Sequence, residues 1–466
     1  MELNGKRVLV LGLGETGLSM AQWVARQGAA VRVADTREHP PALDTLTATV
    51  PGAEVVTGPF TSQLAEGFDA VAVSPGVPLS ETVVEESAER GVPVVGDIEL
   101  FAQALARGPG AKIIAITGTN GKSTVTALAG AMCRSAGLDC EVAGNIGPAV
   151  LAALMHRIDS GAMPEVWVLE LSSFQLESTS SLEADAATVL NLSSDHLDRY
   201  PGMTLYAAAK ARVFHGDGVQ VLNRDDRYSL GMALPGRDIV TFGLNTPPES
   251  SDFGLLKVFD EYWLARGMTP LLAMRDLRIA GFHNTANALA ALALTCSIGC
   301  SFAHTLPGLK TFTGLAHRME QIALIGGVVF YDDSKGTNVG AAAAALEGFA
   351  RSLEASGSKV ILIAGGEGKQ QDFTPLRAAA LGTVRAVVLI GRDATLIEGA
   401  MSGSGIATKR AGTMQEAVDV AFRAARPGDV VLLSPACASF DMFENYKHRG
   451  NVFRAAVEEL ERASAH

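Results

Sequence analysis

Runs of lysine or arginine are missing from this chain, and its 466 residues carry a formal charge of −12. A nucleic-acid partner is excluded on that ground, because a phosphate backbone is held by clustered cations. Long apolar stretches are missing too. No run of 18 or more apolar residues occurs, and the N-terminus enters a strand pattern without the apolar core of an export signal. A soluble, cytoplasmic chain with no membrane insertion is the expectation. Cysteine is scarce and odd in number: Cys133, Cys140, Cys296, Cys300 and Cys437 show no paired, zinc-like spacing. That suits small buried thiols in a reducing compartment rather than a disulfide scaffold or a zinc site. Aromatic residues make up only 6%. In their place stand glycine, alanine and short β-branched runs, the composition of repeated βα units. At ~150 residues per domain the length predicts about three domains.

The most informative segment is 115–124, Ala-Ile-Thr-Gly-Thr-Asn-Gly-Lys-Ser-Thr, fed by the apolar run from Lys112 and followed by an Ala-rich helix pattern from Val125. A glycine-broken turn between strand and helix is the setting of a phosphate-binding loop. Gly118 and Gly121 let backbone N–H groups approach phosphate oxygens, with Thr119 and Asn120 between them. The helix N-terminus adds partial positive charge, and Lys122 neutralises β- and γ-phosphates. Ser123 or Thr124 can ligate Mg²⁺. The usual pattern has four residues between its two glycines and this loop has two, so it belongs to a shortened variety used by a subgroup of ATP enzymes.

A second glycine turn, Gly12-Leu13-Gly14-Glu15-Thr16-Gly17, follows the strand pattern of residues 6–11, and Asp35 closes the next strand, 30–34. Taken alone this is a dinucleotide fingerprint, which would make the chain an NAD-dependent oxidoreductase. Thr36-Arg37 directly after the acid favours a phosphate or uracil-type group over a ribose diol. Ser74-Pro75-Gly76-Val77-Pro78 ends a further strand and forms a rigid loop whose amides can face a ligand.

Further along, polar residues stand just past strand carboxyl ends, where open α/β sheets bind their ligands. Gly144-Asn145-Ile146-Gly147 is one such turn. Glu170 ends the strand 167–169 and is placed to hold Mg²⁺ as a Walker-B acid does. Ser193-Ser194-Asp195-His196 follows the strand 188–192. Lys210 lies among alanines in the helix 205–212, which on its own reads as a solvated face. Residues 244–278 read as an edge excursion of hairpins. At 281–287, asparagine and threonine read as caps of a long Ala/Leu helix. Four strand-then-loop units after residue 314 form a small doubly wound domain. The boundaries predicted are 1–96, 97–313 and 314–466.

The shortened loop, Glu170-Leu171-Ser172-Ser173-Phe174-Gln175-Leu176-Glu177, Asp195-His196-Leu197-Asp198-Arg199-Tyr200, His317-Arg318, Asp333-Ser334-Lys335 and the segment 434–441, Ser-Pro-Ala-Cys-Ala-Ser-Phe-Asp, occur in that order. Together they resemble the Mur ligase family of peptidoglycan amino-acid-adding enzymes over essentially the whole chain. The resemblance implies an α/β protein with a Rossmann-like N-terminal domain that binds a UDP-linked substrate, a central P-loop ATPase domain and a C-terminal Rossmann-like domain that binds an amino acid. It implies ATP-driven amide formation through an acyl phosphate and a tetrahedral intermediate. The implied substrates are UDP-N-acetylmuramoyl-L-alanine, D-glutamate and ATP, with two Mg²⁺ ions and a monomeric chain. By the same resemblance Ser123 and Glu170 serve one metal; His196 and Lys210 serve the other, with Lys210 carbamylated.

Thr16, Asp35, Thr36 and Arg37 are implied to take the uridine diphosphate, and Ser74, Gly76 and Asn145 to line the sugar–peptide path. Asn287, Arg318 and Asp333 would hold adenine, phosphate and ribose. Lys335, Thr337, Lys369, Ser439 and Tyr446 would surround D-glutamate. The family commonly has Phe where Tyr446 stands and Ala where Gly336 stands. Hinges near Gly96 and Thr313 would let the molecule close on its ligands. Alternatives of the same chemistry are another adding enzyme or a folylpolyglutamate-type ligase; a nucleotide-binding regulator that forms no amide is a third.

Overall fold

The computed structural model describes residues 1–106, 110–195, 199–279, 281–353 and 357–464. Three sheets follow one another along the chain. Strands β1 (Arg7–Leu11), β2 (Ala30–Asp35), β3 (Glu54–Thr57), β4 (Ala70–Val73) and β5 (Val94–Val95) form a parallel sheet in the order β3-β2-β1-β4-β5. The second sheet has nine strands: β6 (Lys112–Thr117), β7 (Cys140–Gly144), β8 (Val166–Glu170), β9 (Ala186–Val189), β10 (Val219–Asn223), β11 (Ile239–Phe242), β12 (Phe253–Val258), β13 (Glu261–Arg266) and β14 (Thr269–Ala273). Their order is β14-β13-β12-β11-β10-β9-β6-β8-β7. The first six in the chain are parallel, and β12 to β14 form the antiparallel edge that the hairpin pattern predicted.

The third sheet joins β15 (Glu320–Ile325), β16 (Val328–Asp332), β17 (Val360–Gly365), β18 (Val384–Ile390), β19 (Ala407–Arg410) and β20 (Val430–Leu433), ordered β15-β16-β20-β17-β18-β19. Four of these strands are the predicted units. The other two, β15 and β19, are edge strands: β19 (Ala-Thr-Lys-Arg) has no apolar run, and the short apolar run 322–325 of β15 is left mostly half-covered or exposed.

The first two units share a core. One apolar cluster runs from Val8, Val10 and Met20 through Ile98 and Phe101 to Trp167 and Leu169. The helix Asp97–Leu105 lies in that seam, with the Phe101 ring edge-on to Trp167 at 4.9 Å. Its first residues are locked to the central unit: Gln175 Nε2 donates to Asp97 (2.9 Å), and the Ser180 and Ser181 amides donate to Glu99 (2.7 and 2.9 Å). The third unit fills itself with separate clusters, around Leu362 and Val387 on one face and Phe330 and Val431 on the other. It follows the linker through Gly314, His317 and Met319, all at positive φ. Among the described residues no helix is long and apolar enough to cross a membrane.

Candidate active site

Strand β6 lies between β8 and β9, so its loop opens where three carboxyl ends meet. Gly118 (φ 148°) and Gly121 (φ 84°) take conformations that a side chain resists, and a Cβ on Gly121 would fall 2.5 Å from Asn287 Oδ1. The loop is braced from β9: the Thr119 amide donates to the Asn191 carbonyl (2.8 Å) and the Asn120 amide to Asn191 Oδ1 (2.9 Å). The helix Lys122–Ser135 starts immediately after Gly121. Lys122 Nζ donates to the Gly118 and Thr119 carbonyls, both at 2.9 Å. Burial lowers its pKa, opposed by Glu170 and Asp195.

The fingerprint turn of the first unit is tight. A Cβ on Gly17 would lie 1.8 Å from the Gly12 carbonyl, so helix and strand pack at the closest distance that glycine allows. The helix starts at Glu15, directly after Gly14, which puts Thr16 in its first turn. Asp35 corrects the simple reading of a ligand-facing acid. Its two oxygens accept from the Leu13 amide (2.6 Å), the Arg37 amide (2.9 Å), Arg37 Nε (2.8 Å) and Arg37 Nη2 (2.6 Å). All four acceptor positions of the carboxylate are used inside the protein. The Arg37 hydrogen bonds hold its pKa down at about 2. Ser74 likewise turns inward, donating to the Gly12 carbonyl at 2.9 Å.

Three cavities open around this scaffold. One of about 870 Å³ is lined by Thr16, Asp35, Thr36, Arg37, Ser74, Gly76 and Asn145, and ends on Ser123 and Glu170. A second, of about 450 Å³, lies behind the phosphate loop against Asn120, Gly121, Thr124, His283, Asn287 and Asp333. The third, of about 350 Å³, reaches from Lys122, Glu170 and Lys210 to Thr337, Lys369, Ser439 and Tyr446. Arg318 and Lys335 line all three.

Arg318 enters from the third unit, framed by His317 (φ 63°) and Met319 (φ 49°), and Nη2 donates to Ser123 Oγ at 2.6 Å. The His317 ring pairs with Asp332 (2.7 Å) and its carbonyl accepts from the Lys335 amide (3.1 Å), so the two cations are fixed to one frame. Lys335 Nζ lies 4.0 Å from the centre of the Tyr446 ring, and burial brings its pKa down to about 8. Burial also raises Asp333 to about 7, against the pull of its Ser434 hydrogen bond and of Arg318.

Lys210 is not on a solvated face. It is 2% exposed, donates to the Gly118 carbonyl (2.9 Å) and Thr117 Oγ1 (3.2 Å), and lies 4.8 Å from the Tyr206 ring centre. Burial, then repulsion from Lys122, drives its pKa well below the ordinary lysine value. Glu170 accepts from Asn145 Nδ2 at 2.8 Å through Oε1, while its buried Oε2 has no hydrogen-bond partner among the described residues. His196 lies outside the described residues. The cap expected at 281–287 is made differently. Gly281 takes the N-cap position with φ 93°, and Asn284 and Thr285 sit inside the helix Phe282–Ser297.

Two residues of the site had no signal of their own. Asn338 reaches both Asn120 Oδ1 and Asp195 Oδ2 at 3.3 Å, joining the third unit to the phosphate loop. Tyr206 covers Lys210 and contacts Thr119 Oγ1 at 3.2 Å. An asparagine in a polar loop and a tyrosine in an alanine-rich helix are ordinary in sequence, and only the fold brings them here.

Three family models cover most of this chain: the Mur ligase MurD-like N-terminal domain over residues 6–96, the Mur ligase middle domain over 116–295 and the Mur ligase glutamate ligase domain over 317–437. The chain belongs to the Mur ligase family. It is 56% identical to the UDP-N-acetylmuramoylalanine--D-glutamate ligase of Nitrosospira multiformis, covering 100% of this chain and 98% of that protein. The protein of the same name from Thiobacillus denitrificans is also 56% identical, over 99% and 98% of the two chains. Among solved structures, MurF from Acinetobacter baumannii matches at a TM-score of 0.61 with 18% identity, covering 97% of this chain and 93% of that one. A pseudomurein peptide ligase type C from Methanothermus fervidus matches at 0.60 with 17% identity, over 98% and 100%. At these identities the two structures speak for the Mur ligase fold alone, which is the three-sheet α/β architecture described above.

Proposed function

We propose that this chain joins D-glutamate to the alanyl carboxylate of UDP-N-acetylmuramoyl-L-alanine at the expense of ATP, in cytoplasmic synthesis of a cell-wall precursor. The observation that carries the reading is the meeting of three cavities on Arg318, Lys335 and the phosphate loop. A reaction with three substrates needs such a junction, and the relatives' names supply the identity of the substrates. The three units correspond to residues 1–96 for the UDP-linked substrate, 97–313 for ATP and 314–466 for the amino acid.

A carboxylate is a poor electrophile, so activation precedes amide formation. The alanyl carboxylate attacks the γ-phosphorus, ADP leaves, and an acyl phosphate remains. The D-glutamate amine then adds to the acyl carbon, and the tetrahedral intermediate expels phosphate and gives up a proton. Lys122 and Arg318 are placed to neutralise the transferred group. Asn287 and Asp333 face the nucleoside; Lys335, Thr337, Lys369, Ser439 and Tyr446 face the amino acid, whose two carboxylates need cationic and hydroxyl partners. Thr16, Thr36 and Arg37 face the uridine diphosphate, with Asp35 acting through Arg37.

The donor set suits magnesium. The free buried oxygen of Glu170 and the hydroxyl of Ser123 are hard ligands at the mouth of the phosphate loop. When bound, Mg²⁺ supplies neutralisation of the β- and γ-phosphates. Lys210, whose charged form burial and the nearby Lys122 disfavour, is competent to add carbon dioxide as a carbamate and present oxygen donors. Intact mass measured at neutral pH with bicarbonate, compared with Lys210→Arg, tests this: the wild-type chain gains the mass of one carbon dioxide and the variant does not.

The function itself is tested by phosphate release and product mass with UDP-N-acetylmuramoyl-L-alanine across D-glutamate, L-glutamate and L-alanine, and with a folate in its place as the carboxylate substrate. D-Glutamate is the amino acid incorporated. Activity with the folate alone would overturn the reading.

A further inference from the structure

Among the largest fully buried side chains is an arginine that no part of the mechanism uses. Arg449 lies in the first turn of the helix Tyr446–Ser464 and is 1% exposed. Among the described residues no carboxylate forms an ion pair with it, although Asp441, Asp332 and Asp333 favour its charge from further away. Its hydrogen-bond acceptors are all neutral: Nε donates to Ser334 Oγ (3.0 Å), Nη2 to the Ser334 carbonyl (2.8 Å) and Nη1 to the Cys437 carbonyl (3.1 Å). Ser334 Oγ passes the contact on, donating to the Tyr446 carbonyl at 2.8 Å.

Burying a cation against neutral acceptors is costly, and an apolar side chain of similar size would fill the space more cheaply. What an apolar side chain cannot do is hold two separate backbones at once. A guanidinium presents its donors in a planar fork of fixed geometry, and here the fork spans the turn after β16 and the turn after β20. Those turns, with the start of the last helix, carry Lys335, Thr337, Ser439 and Tyr446, and Arg449 with Ser334 is bonded into all three segments. The Ala436 amide, which donates to the Gly336 carbonyl at 2.9 Å, shows how closely the two turns run.

We propose that Arg449 is a positioning residue for the amino-acid subsite, acting with Ser334 as an internal clamp that sets the spacing of the three segments around the incoming amine. This rests on the assignment of that subsite above. The clamp touches neither the phosphate loop nor the first unit; Thr337 and Ser439 line the third cavity alone, whereas Lys335 and Tyr446 border a neighbouring cavity as well, so loosening it falls most heavily on recognition of the amino acid.

The test is steady-state kinetics of the full chain, varying each substrate in turn, for wild type, Arg449→Lys, Arg449→Met and Ser334→Ala, with thermal melting of each. Lysine keeps the charge but offers one point donor instead of a fork. In Arg449→Lys the amino-acid KM rises roughly tenfold or more, while the KM values for ATP and the UDP-linked substrate stay within about threefold. Ser334→Ala moves the same constant in the same direction by less. An unchanged amino-acid KM in folded variants overturns the proposal, and so does an equal rise in all three constants, which is the mark of a merely structural role. Should the arginine variants fail to fold, Ser334→Ala decides by the same criterion. Wild-type enzyme that makes no amide with any amino acid would instead overturn the functional assignment, a result visible before any variant is prepared.

Discussion

Lys122 and Lys335 are both half-buried cations, but they make opposite demands on the solution. Lys122 is tied to two loop carbonyls and faces Glu170 and Asp195, which support its charge. Lys122→Ala removes a preorganised cation from the transferred phosphoryl group, and kcat is expected to fall about a hundred- to a thousandfold. Rapid-quench measurement of ADP formation checks this with D-glutamate absent, so that only the first step is read. Lys335 has Arg318, Lys122 and Lys369 around it, and with burial they bring its pKa to about 8 from an ordinary 10.5. The depressed value means that charge is present below pH 8 and lost above it. The amino-acid KM is therefore expected to climb as pH passes through about 8, well before a solvated lysine would titrate. A flat profile to pH 10 would show that Lys335 carries no part of that recognition. The sequence marked both lysines by their loops. It could not mark Lys210, because an alanine-rich helix shows no preferred buried face and only tertiary packing decides which side meets the sheet.

The phosphate loop was legible because its conformation is written in residue type: two glycines at positive φ, an apolar strand before and a helix after. Replacing Gly121 by alanine puts a Cβ 2.5 Å from Asn287 Oδ1 at a φ of 84°. Nucleotide affinity measured by calorimetry is expected to fall at least tenfold, with little change in binding of the UDP-linked substrate alone. The helix Asp97–Leu105 makes a different prediction. Asp97 is buried with one oxygen lacking a hydrogen-bond partner among the described residues, and burial raises its pKa from 3.8 to about 6. A carboxylate whose folded value is raised adds stability below its unfolded pKa and loses it as pH rises through about 6. At pH 7 the charged form therefore costs stability, up to about 3 kcal/mol. Asp97→Asn keeps an acceptor for Gln175, so its thermal midpoint is expected above wild type at pH 7, with the gap narrowing at pH 5. Elements with weak patterns escaped notice. The edge strands β15 and β19 are half-covered or polar, and the cap of the helix Phe282–Ser297 is a glycine whose amide neighbours give no side-chain signal.

For the whole molecule, the two hinges expected from the sequence are not equivalent. Gly96 is pressed against Ser178, where a Cβ would fall 2.2 Å from Oγ, and an apolar core runs across the boundary that it marks. Arg199 adds a latch, donating to the Pro75 carbonyl (3.1 Å) and to Glu177 (2.7 Å). The first two units are therefore expected to move as one body, and closure to occur through the linker around Gly314. Small-angle scattering should show a smaller radius of gyration when a non-hydrolysable nucleotide and the UDP-linked substrate are both present. Distance measurements between spin labels should change between units two and three and stay fixed between one and two. Unchanged profiles would count against closure altogether. Composition and motif order told of three α/β units; the shared seam was invisible because apolar residues in a sequence do not state which sheet they will cover.

Arg318 and Lys335 belong to the third unit yet border all three cavities described above. Their position has a pharmacological consequence. A compound wedged beside the linker, resembling none of the substrates, would withdraw both side chains and disable three binding events with one steric block. Raising the concentration of any single substrate would not relieve it.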